Sequence, residues 1–163
     1  MADYVLSSGI LSVAKRNTNI CLALIGVAED DAMEVFENDY LLVRKINGSI
    51  PIVAEAIAKR DSEFIKARAK LQAESGATYI DCCASVPEAE EVETLKWMID
   101  CIQEVTDLPI SIDSPSPDVL AQAYKFCKKP GIFNSVSGEG HKIDTIFPIM
   151  AEPGNDAVPR PHD

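Results

Sequence analysis

The chain has 163 residues, enough for one domain with a sizeable core. Apolar residues make up 47% and charged residues 25%, the balance of an ordinary soluble globular protein. A formal net charge of −11 argues against nucleic acid or an anionic membrane surface as partner, since both repel an acidic protein.

Residues 1–39 carry no motif and read as a helical or mixed segment. Tyr4, Val5, Ile10, Leu11 and Ala14 are spaced for one helix. Ile20 to Val27 is a continuous apolar run that fits a buried strand or a buried helix. Lys15-Arg16 before it and Gly26-Val27-Ala28 at its end also imitate a signal peptide, but the positive region lies late and no disulfide pattern follows. The run is too short to span a bilayer. Glu29 to Asn38 reads as a short acidic helix.

From residue 40 to 152 the pattern is regular. Tyr40 to Ile46 is a strand ending in Asn47-Gly48-Ser49. A short helix follows Pro51, from Ile52 to Lys59. Asp61 is placed to cap a helix running to Glu74, with Phe64, Ala67, Arg68 and Leu71 on one face and Gly76 as its stop. The second strand spans Thr78 to Cys82. Ser85 and Glu88 have capping-box spacing, and Val92, Leu95, Ile99 and Ile102 form the apolar stripe of the helix beyond. Leu108 to Asp113 is the third strand. Ser116-Pro117-Asp118 starts the next helix, burying Val119, Leu120, Ala123, Tyr124 and Cys127. Gly131 to Phe133 is the fourth strand. Lys142 to Glu152 is a helix burying Ile143, Ile146, Phe147 and Met150, kinked at Pro148. The Pro-rich tail, residues 153–163, reads as disordered or as the start of another strand.

Five cysteines are present, none in a C-x-x-C pair, and two histidines, so no zinc spacing exists and no metal ligand set is assigned. Reduced thiols fit a cytoplasmic protein, with most of them packing as small apolar residues.

Four successive βα units imply an α/β fold with parallel strands and helices outside. Four units are half of a TIM barrel. The strands end in Asn47, in Asp81 to Cys83, in Asp113-Ser114 and in Asn134-Ser135. Carboxyl ends of parallel strands are where such folds bind ligands. Each polar tip also has an ordinary reading. An Asp there can cap the next helix, Asn47-Gly48 is a common turn, Cys83 is a packing residue, His141 is a solvated helix-start residue, and Glu139 favours a helix N-terminus.

The runs Ile46-Asn47-Gly48-Ser49, Gly76 to Asp81, Leu-Pro-Ile-Ser-Ile-Asp-Ser around Asp113, and Gly-Ile-Phe-Asn-Ser-Val-Ser-Gly-Glu around Asn134 together resemble the pterin-binding TIM-barrel family. Within it the chain is most similar to methyltetrahydrofolate:corrinoid protein methyltransferases, including those of O-demethylation systems, and is similar to the pterin domain of cobalamin-dependent methionine synthase. The resemblance covers about residues 41–152. It implies tetrahydrofolate or methyltetrahydrofolate as substrate, a corrinoid (cobalamin) carried by a partner protein, and methyl transfer between the two without a covalent enzyme intermediate. Asp113 is expected to accept the ring N–H and exocyclic amine of the pterin's pyrimidine edge, as a carboxylate does from a guanidinium. Asn134 is expected to meet the mixed donor–acceptor ring edge. Asn47 and Asp81 shape the site, and Ser114 and Ser135 add hydrogen bonds. No catalytic residue is assigned.

The family's opening strand usually ends Gly-Glu-Lys/Arg-Ile-Asn, where this chain has Val43-Arg44-Lys45-Ile46-Asn47. The acid and asparagine supplied by the family's later strands have no counterpart here. A truncated family member is therefore expected, with sheet edges covered by residues 1–39 or by a second subunit in a homo-oligomer. Two other functions fit the residues: a non-catalytic pterin-binding or assembly protein, and a dihydropteroate synthase-like enzyme.

Overall fold

The computed structural model describes residues 46–136 and 141–152 in full, and the backbone of strands at 2–7, 10–15, 21–23, 33–36, 40–43 and 158–161. Two sheets are present among them. The smaller is antiparallel, in the order β1 (Ala2–Ser7), β2 (Ile10–Lys15), β3 (Cys21–Ala23). The larger has six strands in strict chain order: β4 (Met33–Phe36), β5 (Tyr40–Val43), β6 (Tyr79–Cys83), β7 (Ile110–Asp113), β8 (Ile132–Val136) and β9 (Val158–Pro161).

β4 runs antiparallel to β5, and every later neighbour is parallel. A doubly wound sheet reverses its strand order at a switch point. This one never does, so its winding is that of a (β/α) barrel. Helices α1 (Pro51–Ala58) and α2 (Ser62–Glu74) connect β5 to β6. α3 (Glu88–Val105), α4 (Pro117–Tyr124) and α5 (Lys142–Met150) make the next three crossovers.

Among the first 39 residues, the two described stretches read as helix are strands. Ser7 pairs with Ile10, leaving Ser8-Gly9 between two strands rich in Val, Leu and Ile, which favours a hairpin over a helix. Likewise, Met33–Phe36 is a strand rather than part of an acidic helix. Phe36 pairs with Tyr40 across Glu37-Asn38-Asp39, and β4 thereby covers the edge of β5. Of the run from Ile20 to Val27, Cys21–Ala23 is strand and the rest lies outside the described residues. The tail contributes β9, the strand start that was one of its two readings.

Helix signals behave locally as chemistry dictates. Asp61 Oδ1 accepts from Phe64 N–H at 3.1 Å and caps α2. Gly76, at φ +87°, ends it in the left-handed region that glycine occupies freely. Ser116 caps α4, with Pro117 in its first turn. The Ser85–Glu88 capping box does not form. Pro87 is the N-cap of α3, and Glu88 turns away to another partner.

The core lies between the sheet and the helices. Ile46, Ile80, Ile112 and Phe133 from the strand region meet Ile65, Leu95, Met98, Ile99, Ile102 and Leu120 from the helices, all fully buried. α3 uses the expected stripe. α2 is rotated from the expected one: it buries Ile65, Ala69 and Gln72 and leaves Leu71 54% exposed. On α5 only Ile146 is fully buried, while Ile143 and Phe147 are 40% and 48% exposed. Both helices are amphipathic, but the position of the sheet decides which neighbouring stripe is covered.

Candidate functional site

The site is a row of residues across four neighbouring strand ends. Asp113 on β7 stands in register with Cys83 on β6 and with Asn134 on β8. Asn47 forms a single parallel bridge with Cys83. Asn47, Cys83, Asp113 and Asn134 are therefore consecutive members of one transverse row. Alternation along a strand puts Asp81 on the same face as Cys83, and Ser111 on the same face as Asp113, one layer deeper. Asp81 and Ser111 are themselves in register. The fully buried Asp81 accepts a 3.1 Å hydrogen bond from Ser111 Oγ. Asp81 thus forms the floor beneath the row.

Asn47 is half-buried at the rim. Its Oδ1 accepts from Ser49 N–H at 2.8 Å and from Ser85 Oγ at 3.4 Å. The turn reading of Asn47 holds: its side chain accepts from its own turn, and the turn is bridged to β6. Gly48 closes that contact: its N–H donates to Cys83 O at 2.9 Å. A Cβ on Gly48 would lie 2.0 Å from Ala84 O, a backbone atom that cannot swing aside. Gly48→Ala is expected to push the Asn47 turn off β6 at a cost of about 1–3 kcal/mol. A urea midpoint unchanged from the wild type would refute this.

Ser114 and Ser135, expected to add hydrogen bonds, sit in two different settings. Ser114 is buried and engaged with its own loop and with β8. Its N–H donates to Asn134 O at 2.9 Å, and its Oγ accepts from Ser116 N–H at 3.2 Å. Ser135 is half-buried, where the β8–β9 register shifts between Phe133 and Val136. His141 is exposed at the start of α5 and makes no side-chain cap, and Glu139 lies outside the described residues.

Cys83 is held as a neutral thiol. Burial, with the Asp113 carboxylate adding to it, pushes its pKa up to about 12. Its Sγ lies 3.3 Å from Ser85 Oγ. Burial also pushes the Cys82 thiol far up. Neither is a nucleophile at neutral pH. Among the described residues, no group of three or more His, Cys, Asp or Glu is placed to hold a metal ion.

Two residues missed by the sequence reading border the row. Ser111 was readable as the position two before Asp113 on the same strand. Glu91, in the first turn of α3, had no such signal. It is 5% exposed. Burial pushes its carboxyl above the ordinary range; the Ser114 hydrogen bond pulls it back in part, and Glu88 and Asp113 push it further up.

The native state therefore binds this proton more tightly than the unfolded chain. Stability falls as pH rises from the ordinary carboxylate value through the raised one, and the loss is complete above it. Glu91→Gln is thus expected to raise Tm at neutral pH and to converge with the wild type in acid. Circular dichroism melts across pH check this, and a neutral-pH Tm at or below the wild type would contradict it.

Beside the Asn47 turn, a cavity of about 230 Å³ opens between α1 and the start of α3, lined by Gly48, Arg60, Ser85, Glu90 and Thr94 among others. Arg60 donates to Thr94 Oγ1 at 3.3 Å and lies over the Trp97 ring.

Winding and site together define a class: a (β/α)-wound protein with a polar seat at the carboxyl ends of its parallel strands. Residues 52–158 match the family described as pterin binding enzyme, and the chain belongs to that family. It is also 50% identical over 110 residues to a methylcorrinoid:tetrahydrofolate methyltransferase of Eubacterium limosum. That alignment covers 68% of this chain and 41% of the relative, so the chain spans less than half the length of the curated protein it matches.

Proposed function

We propose that this chain seats the pterin ring of tetrahydrofolate or methyltetrahydrofolate on the Asn47–Cys83–Asp113–Asn134 row, as the pterin-binding part of a methyltransferase. The observation that carries the reading is the register of Asp113 with Asn134. It puts a carboxylate acceptor next to an amide that both donates and accepts, complementary to the edge of a pterin. Asp113 takes the two N–H groups of the pyrimidine edge, and Asn134 takes the adjoining ring positions. Asn47 borders the seat and Asp81 supports it from below. The reaction is transfer of a methyl group between the folate and the cobalt of a corrinoid on a partner protein, with rate drawn from positioning and electrostatics. The name of the Eubacterium limosum relative favours this over a dihydropteroate synthase-like reaction or assembly alone.

We further infer a cytoplasmic setting, a homo-oligomer, and a role in O-demethylation. The cytoplasmic setting is supported by the unpaired cysteines among the described residues. The net charge of −11 supports the absence of nucleic-acid and membrane partners, and no described helix is long and apolar enough to cross a membrane. Light scattering tests the oligomer. The function is tested by calorimetric titration with methyltetrahydrofolate, followed by the cobalt spectrum on mixing with a methylated corrinoid protein and tetrahydrofolate. Saturable single-site binding supports the reading. No heat from a folded protein removes it.

A further inference from the structure

We infer that the cavity beside the Asn47 turn holds the acidic tail of the folate, with Arg60 as the cation that takes its carboxylate. The inference rests on the pterin reading above and deepens it, since the row accounts for the pterin ring alone. Tetrahydrofolate continues from that ring through an aminobenzoyl group to a glutamate, and that end of the ligand is an anion.

The cavity and the row share a wall. Ser85 lines the cavity, and its Oγ donates to Asn47 Oδ1 at 3.4 Å and lies 3.3 Å from Cys83 Sγ, two members of the row. Gly48, the residue after Asn47, lines it as well. Its volume of about 230 Å³ is below the roughly 300–1,000 Å³ of pockets that enclose a whole ligand. It suits one end of a ligand whose other end is seated on the row.

Arg60 is fixed at this cavity. Its guanidinium donates to Thr94 Oγ1 at 3.3 Å and lies 5.0 Å from the centre of the Trp97 ring. A guanidinium carries five N–H donors in a planar fork, and Thr94 takes one of them. Among the described residues no carboxylate stands within ion-pair distance of Arg60. The fork therefore keeps the capacity to take a ligand carboxylate through two parallel N–H bonds. Glu90, the acid on the lining, sits in the first turn of α3, where the helix dipole offsets its charge.

The backbone points to the same place. Among the described non-glycine residues, Arg60 at φ 52° and Ser85 at φ 50° are the two in the left-handed region, and both line this cavity. An L side chain at such a φ is strained, and residues held there cluster at ligand sites. The two come from separate links, Arg60 between α1 and α2 and Ser85 between β6 and α3.

The test crosses two ligands with two variants. The full chain is titrated by calorimetry with methyltetrahydrofolate and with 6-methyltetrahydropterin, which has the reduced pterin but no tail, and Tm is measured for each protein. Wild type is expected to bind the folate more tightly than the tail-less pterin. Arg60→Gln keeps an amide donor for Thr94 and removes the charge, and Arg60→Ala removes the side chain. Each is expected to weaken folate binding about five- to tenfold, between the worth of an exposed ion pair and that of a bidentate one. Both are expected to bind the tail-less pterin within about twofold of wild type. Equal losses for the two ligands would make Arg60 a structural residue and overturn the inference. So would wild-type folate affinity in either folded variant, or a wild type that binds both ligands equally well. In each of these cases the pterin reading stands. A folded wild type that binds neither ligand removes the pterin reading and this inference together.

Discussion

Asp113→Ala is expected to abolish measurable methyltetrahydrofolate binding and to leave the protein folded. Asp113 lies at the end of β7, half-exposed, and its neighbours in the row are Cys83 and Asn134. A carboxylate there accepts two N–H groups of a pterin edge at once. Each charge-assisted bond contributes roughly 1.5–3 kcal/mol, so losing both costs roughly 3–6 kcal/mol, or about 10²- to 10⁴-fold in Kd. The fold loses little, because β7 is held through its backbone pairing and the apolar side chains before Asp113. Removal also relieves repulsion, since the Asp113 charge pushes up the Glu91 carboxyl. Asp113→Asn restores size but offers one donor where the ligand needs an acceptor, and is expected to recover little. Calorimetry at matched folded concentrations decides it. A Kd within threefold of the wild type in Asp113→Ala would place the ligand elsewhere.

The positions of β6, β7 and β8 were legible because each lies in a largely apolar run, the mark of a strand covered on both faces. The caps at Asp61 and Ser116 were legible because a cap is a local event of three or four residues. The row itself followed from both: once strand ends are located, parallel register aligns Cys83, Asp113 and Asn134. Other features depended on contacts distant in sequence. The apolar residues of α2 and α5 allow more than one buried stripe, and only the sheet selects Ile65, Ala69 and Gln72 over Leu71. Glu88 satisfied the capping-box spacing with Ser85, yet its carboxylate bonds Ser116 from the next crossover. Glu91 looked like one more acid at a helix start. Nothing within a turn of it indicates its burial. Two stretches before Tyr40, around Tyr4 to Ala14 and around Met33 to Phe36, were misread as helix for the opposite reason: the short polar links at Ser8-Gly9 and Glu37-Asn38-Asp39 outweighed their local spacing.

Phe133→Ala is expected to be the most destabilising single substitution considered for this chain. Phe133 is fully buried on β8, in register with Ile112 on β7 and Pro159 on β9. Its ring meets Tyr124, the last residue of α4, with centroids 4.5 Å apart and planes tilted by 36°. The ring therefore ties the sheet to the helix layer from the face opposite Asn134. Truncation leaves a cavity that the strand backbone cannot close, at about 3–5 kcal/mol for a buried Phe→Ala. Within that, the aromatic pair accounts for about 0.5–1.5 kcal/mol. Against a typical total of about 5–15 kcal/mol, the loss is a large fraction of the whole. Urea unfolding is expected to show a much lower midpoint with an unchanged slope, since the native fold stays the same and only its margin shrinks. Phe133→Leu refills most of the volume and is expected to cost less, because what it loses is chiefly the ring pair. A loss below about 1 kcal/mol for the alanine variant would mean that β8 is not anchored through this ring. Asn134, the next residue along, would then be positioned without help from this ring, with Ser114 N–H and the strand pairing among its supports.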